Sequence, residues 1–374
     1  MKRIILVSII VGIICCKSVY ANEFESNTYI TLDDFDLKET QNVMQSEKYS
    51  IDIDELLQEI SKGNVMAAVN IIIDNVRDKL ENQFNDIKQV IITIIFTTVF
   101  AALIVNFSYS SSKNGVNEMA FYACYVLQIS TLMYIFQIAM EIGEKLVLFI
   151  LQLMGAIIPT YLLAVGITSQ ATALGFNSLI MTLIAVIEAV ILNIVFPMLK
   201  VYMAISMVNS ISKEDLLSGM ADLIKKAINF IYKIILGTVT GLNLIQSLIL
   251  PTTDLAKNNI AKKIISNVPI VGNGTDAVAQ IILSSVGIIK NSIGVLAIIL
   301  IVFVCIVPMV KMTAYSAVVQ ISGAVLQPIA DKRILNCIKQ TSEVIKLLNR
   351  GISVVGFLFI ITIAIICIST GNGG

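Results

Sequence analysis

With 56% of its 374 residues hydrophobic, 14% charged and a mean hydropathy of +0.86, this chain is excluded from the ordinary soluble globular class and reads as an integral membrane protein. The absence of His excludes imidazole bases, imidazole metal ligands and H-E-x-x-H metalloproteases. A formal charge of zero hides an uneven distribution, with +3 over residues 1–21, −10 over 22–87 and +7 over 88–374, so an acidic head precedes a mildly basic membrane body.

No basic patch suited to nucleic acid stands out in that distribution. The six Cys are either in the leader or, apart from Cys337, in apolar runs, and they make no disulfide framework or zinc spacing. No cofactor or metal site is expected from any cluster of residues.

Lys2-Arg3, the apolar run 4–16 and Val19-Tyr20-Ala21 have the order of a secretory signal peptide cut after residue 21, with an uncleaved signal anchor as the alternative. Residues 22–87 then form an acidic extracytoplasmic region. Its first part, 22–50, lacks apolar periodicity and is expected to be extended or disordered. A short helix is predicted over 54–62, stopped by Gly63, and a second amphipathic helix carries Val65, Val69, Ile72, Val76 and Leu80 on one face.

The first two transmembrane helices are expected within 88–145, near 90–107 and 119–140, the second with Tyr122, Tyr125 and Tyr134 serving partly as interfacial anchors. Gly155 and Pro159 interrupt the apolar run 146–167, which is therefore expected to be broken or re-entrant. Residues 176–199 span fully and contain Glu188 near mid-membrane, where a carboxylate facing lipid costs at least ~2.5–3.5 kcal/mol. The span 228–250 holds Gly237 and Gly241 at G-x-x-x-G spacing, suited to close helix contact. Residues 251–280 read as a polar loop, 285–310 as a span containing Lys290, 312–330 as a packed helix with Gly323 on its small face, and 352–369 as the last span.

Pro197-Met198-Leu199-Lys200 returns as Pro308-Met309-Val310-Lys311, each ending an apolar run, with Ile158-Pro159 and Val268-Pro269 at matching distances upstream. A small-residue segment, a charged amphipathic segment and another apolar run follow each copy. The expected fold is an all-α polytopic membrane protein with two tandem helical repeat units, about 150–250 and 260–370, within the segments 146–250 and 251–374. Pro197 and Pro308 are read as bends. Lys200 and Lys311 are read as cytoplasmic anchors, because the positive-inside rule places the Lys/Arg-rich 311–350 region in the cytoplasm.

The runs Val268-Pro269-Ile270-Val271-Gly272, Ile289-Lys290-Asn291-Ser292-Ile293-Gly294, Val307-Pro308-Met309-Val310-Lys311 and Leu326-Gln327-Pro328-Ile329-Ala330-Asp331 resemble the stage III sporulation protein AE family of endospore-forming bacteria. The resemblance is good over about 150–370 and general in layout over 22–145. It implies a non-enzymatic multi-pass subunit of the specialised secretion or feeding channel complex linking mother cell and forespore, in the mother-cell membrane around the forespore. It further implies partners among the other stage III sporulation membrane and ring-forming proteins and a cytoplasmic secretion-type ATPase, and it carries over no catalytic residue. The tandem units, Glu188 and Lys290 also fit a stand-alone secondary transporter, and that alternative stays open at this point.

Overall fold

The computed structural model describes residues 37–47, 49, 51–110, 114–168, 170–211, 216–265, 274–328 and 330–371, and among these every regular element is helical. The expected leader and residues 22–36 lie outside the described residues, as do 266–273 and the Gly-rich end. Two short helices, α1 (Lys38–Ser46) and α2 (Ile53–Ser61), form the head. The body consists of α3 (Val65–Ser110), α4 (Asn114–Thr168), α5 (Gln170–Val186), a π-helical stretch (Ile187–Val195), α6 (Phe196–Ile211), α7 (Ser218–Ile265), α8 (Gly274–Leu326) and α9 (Lys332–Gly371).

Local chemistry explains the head. The Asp52 side chain accepts from the Asp54 and Glu55 amides at 3.0 and 3.2 Å, capping α2, and the chain turns after it at Gly63 with φ 79°. Ile53, Leu56, Leu57 and Ile60 of α2 are all buried. The expectation of an extended or disordered 22–50 is corrected for residues 38–46, which are helical. Gln41 holds that helix to the next segment, donating to the Ile51 carbonyl and accepting from the Ile53 amide, both at 2.9 Å, while Met44 is fully buried.

Five helical segments among the described residues are long and apolar enough to cross a membrane: Tyr122–Ile167, Ala173–Ser210, Ser218–Ile249, Val286–Leu326 and Lys332–Thr370. A shorter apolar stretch, Lys88–Ala101, lies within α3, which runs on unbroken from the amphipathic stripe predicted to precede it. The expected break in 146–167 is absent. Pro159 sits inside α4, a single helix of 55 residues and about 80 Å at 1.5 Å per residue, far longer than a ~30 Å hydrocarbon core. Residues 251–265, expected in a loop, continue α7.

Contacts at several heights set the directions of the long helices. Tyr125 meets Cys337 and Tyr161 meets Cys367, so α4 and α9 run parallel. Gly143 lies against Met312, whereas Gly294 lies against Tyr161, so α8 runs antiparallel to α4. α7 follows α9 through Lys225–Glu343, Tyr232 to the Leu347 carbonyl, and Asn243 to Thr362. α8 and α9 make the most extensive helix pair, and α4 packs against both of them.

The head docks on this core. Tyr49 stacks on Phe149 of α4 with centroids 5.6 Å apart and meets Phe303 of α8 edge-on at 5.0 Å. Glu47 is close enough to Lys145 for their charges to interact. The head therefore shares one level of the bundle with the 141–149 segment, and that segment also receives Lys200 through Glu144 at 3.0 Å. Glu47 and Tyr49 of the head therefore lie at the level of Lys200 in this fold.

Candidate functional site

Three polar features lie between or upon the long helices. The first is a seam of side-chain hydrogen bonds that cross from helix to helix. The Tyr125 hydroxyl donates to the Met207 carbonyl at 2.8 Å and contacts Cys337 Sγ at 3.1 Å, joining α4, α6 and α9. Ser316 and Ser342 pair at 2.9 Å between α8 and α9, where Asn349 also donates to Thr313 Oγ1 at 2.9 Å. Asn243 of α7 donates to Thr362 of α9 at 3.0 Å. In an environment poor in water such bonds satisfy groups that would otherwise be stranded, and they fix the register of neighbouring helices.

The second feature is a charged belt at the level of residues 141–145. Glu141 pairs with Lys145 at 2.7 Å, Glu144 pairs with Lys200 at 3.0 Å, and Lys311 lies over the Tyr315 ring at 5.9 Å. Both Pro-Met-x-Lys lysines thus end beside or near one segment of α4. A cleft of about 340 Å³ at this level is lined by Gln89, Thr93, Tyr134, Glu141, Lys145 and Lys311, among others.

The third feature is the π-helical stretch. Pro197 has no amide hydrogen, and its ring presses on the carbonyl four residues earlier, which disfavours α winding just upstream. The chain winds wider instead, and the Phe196 amide reaches back five residues to the Ile191 carbonyl. Pro308, in the matching place of the second unit, lies inside continuous α-helix, so only the first of the two expected bends appears as a change of winding.

The residues singled out from the sequence fall in different environments. Glu188 is exposed on the π stretch, with no hydrogen-bond or ion-pair partner among the described residues. Lys290 is buried, and its ammonium donates to the Thr370 carbonyl in the last turn of α9, where a cation complements the exposed carbonyls of a helix end. Glu188 and Lys290 do not contact each other. At Gly323 an added Cβ would come within 2.9 Å of Ile338, so its lack of a side chain allows α8 and α9 to close. Around Gly237 and Gly241 nothing lies within 4 Å, so neither makes the close helix contact that their spacing suggested within this chain.

Tyr125, expected as an interfacial anchor, is instead buried within the bundle, and sequence reasoning passed over Asn349 and the Tyr232–Gly351 contact, in which a Cβ on Gly351 would press on the Tyr232 hydroxyl. Only the small residue at 351 carried any signal. No group of three or more His, Cys, Asp or Glu suited to a metal occurs among the described residues.

Long apolar helices tied by interhelical polar bonds, with a docked head, define an all-α polytopic membrane protein. The family model for stage III sporulation protein AE matches residues 51–370, and the chain belongs to that family. It is similar to the stage III sporulation protein AE of Bacillus subtilis (strain 168), at 22% identity over 283 residues, which cover 75% of this chain and 70% of the relative. No solved structure matches the chain. The protein is thus a multi-pass membrane protein of a sporulation family.

Proposed function

We propose that this chain is a non-enzymatic structural subunit of a mother cell–forespore channel complex, set in the mother-cell membrane around the forespore. Its partners would be the other stage III membrane and ring-forming proteins and a cytoplasmic secretion-type ATPase. The observation that carries this reading is the extent of the family match, which takes in nearly the whole helical body from the docked α2 to the end of α9. The docked head supports it, because a segment clamped by Tyr49 between α4 and α8 presents a fixed surface to a partner. A cleaved leader would carry residues 22–87 to the outer side, and the belt at Lys145 and Lys200 would go with them.

The two tandem units belong to the same proposal. Each consists of a helical segment bearing Pro-Met-x-Lys and a returning helix, α7 or α9. The test is affinity purification of the full-length chain from sporulating cells, with complementation of a deletion strain. Recovery of ring and membrane partners together with restored spores is the expected result. Ion-coupled solute uptake by the purified chain alone in liposomes would replace this reading with the transporter.

A further inference from the structure

Glu188 and Asn193 are the feature that the reading above leaves unused. Both lie in the π-helical stretch, both are exposed, and neither has a hydrogen-bonding partner among the described residues. They occupy the middle of an apolar run that reaches from 176 to 199, inside the span Ala173–Ser210. Lipid tails can neither donate to a carboxyl group nor accept from a carboxamide, so an outward face carrying both at this depth calls for a protein surface against it.

The winding makes the two residues one patch. In an α-helix, positions five apart point about 140° away from each other at 100° per residue. A π-helix bonds residues five apart, which brings positions i and i+5 onto nearly the same side. Pro197 therefore does more than bend the span, since the register it imposes aligns Glu188 with Asn193. Ala185 and Ala189 are exposed beside them, so the backbone of a neighbouring helix can come close. Thr182, one turn or so before, is also exposed, but its hydroxyl already donates to the Ser178 carbonyl at 2.8 Å.

We propose that this face is the contact between two copies of the chain within the membrane, with the Asn193 carboxamide of each copy donating to the Glu188 carboxyl group of the other. The occupant follows from the chemistry of the patch. It sets an accepting carboxyl group beside a donating carboxamide, so a two-fold copy of itself meets each carboxyl with a carboxamide through two equivalent bonds, and such an isologous pairing closes without further subunits. The sporulation role is not needed for this inference, because it rests only on the span and its outward polar residues.

The test uses the full-length chain reconstituted into lipid vesicles, with the monomer–dimer equilibrium read by energy transfer between labelled copies over a range of protein-to-lipid ratios. The wild type should dimerise. Glu188→Leu and Asn193→Leu should each weaken the dimer by up to about tenfold, whereas Glu188→Gln, which still accepts a hydrogen bond, should stay close to wild type. Cysteine at 189, which leaves Glu188 and Asn193 intact, should cross-link copy to copy. Thermal unfolding of each variant separates lost pairing from lost folding. A wild type that stays monomeric at every dilution would overturn the proposal, as would undiminished dimerisation in a folded Glu188→Leu/Asn193→Leu double variant. Cross-linking from a cysteine at 241 but not at 189 would do so too, by moving the interface to the open face of α7.

Discussion

The two units of the membrane body share an order of parts but differ in what surrounds them. In the second, the most apolar windows of α8 and α9 are each 67% buried, wedged among α3, α4, the docked head and each other. In the first, the corresponding windows of α5–α6 and α7 are 39% and 28% buried, and much of their surface faces away from the chain. Pro308 in the second unit is held in continuous α-helix, whereas the stretch before Pro197 is free to widen into π winding. Repetition of sequence order therefore does not repeat environment. The inner unit supplies the core, and the outer one retains faces for contacts beyond the chain.

This contrast can be broken most severely at the glycines. Gly323→Glu, forced against Ile338 between α8 and α9, should abolish recovery of folded, monodisperse protein in detergent, while Gly241→Leu in the outer unit should leave thermal unfolding unchanged. Equal tolerance of both substitutions would erase the distinction between the units. A smaller effect is expected from Asn349→Leu, which strips Thr313 of its partner across the inner pair. It should cost about 1 kcal/mol, read as a lower unfolding temperature in the same lipid.

Alkaline pH tests how the head is held against the inner unit. Burial first, then the charges of Cys305 and Glu47, hold the Tyr49 phenol above its ordinary value. A group raised by folding contributes stability that is complete below its unfolded value, about 10 for Tyr, and is lost as pH rises beyond it. Proteolysis within the head should accelerate above that pH in the wild type, and less so in Tyr49→Phe, which keeps the ring contacts without the titrating group. The smallest effects belong to the belt, where the Lys200–Glu144 pair is half exposed. Lys200→Ala and Lys311→Ala should each change stability by no more than about 0.5 kcal/mol in thermal denaturation.

Much of the layout was legible in the sequence, because apolar runs of membrane length and the stripe at the start of α3 follow directly from periodicity. The joins between segments were not. Changes from apolar to charged side chains at 141–145 or near 350 mark a change of surroundings, whereas the backbone bonds that continue α4 and α9 are indifferent to side-chain polarity. Gly323 could be found from its small neighbours. Tyr125 could not, since one tyrosine gives no sign of which distant carbonyl it will meet.

Sidedness is open to test for a related reason. Counting positive charge makes Lys200 a cytoplasmic anchor at a span end, and the folded chain places it on Glu144, at the level where the charges of Glu47 and Lys145 interact. Cysteines introduced at 47 and 200 should accordingly react with an impermeant reagent from the same side of the membrane. Reaction from opposite sides would separate the head from the belt and restore the original assignment.

The stacking of Tyr49 against Phe303 also constrains how the protein is made. The head is synthesised first, yet one of its two aromatic partners emerges about 250 residues later, a delay on the order of tens of seconds at ordinary rates of translation. Throughout that interval Ile53, Leu56, Leu57 and Ile60 have no α8 to cover them. Biogenesis of this chain must therefore keep its earliest folded piece in waiting, and settling of the head becomes a late event that reports completion of the body.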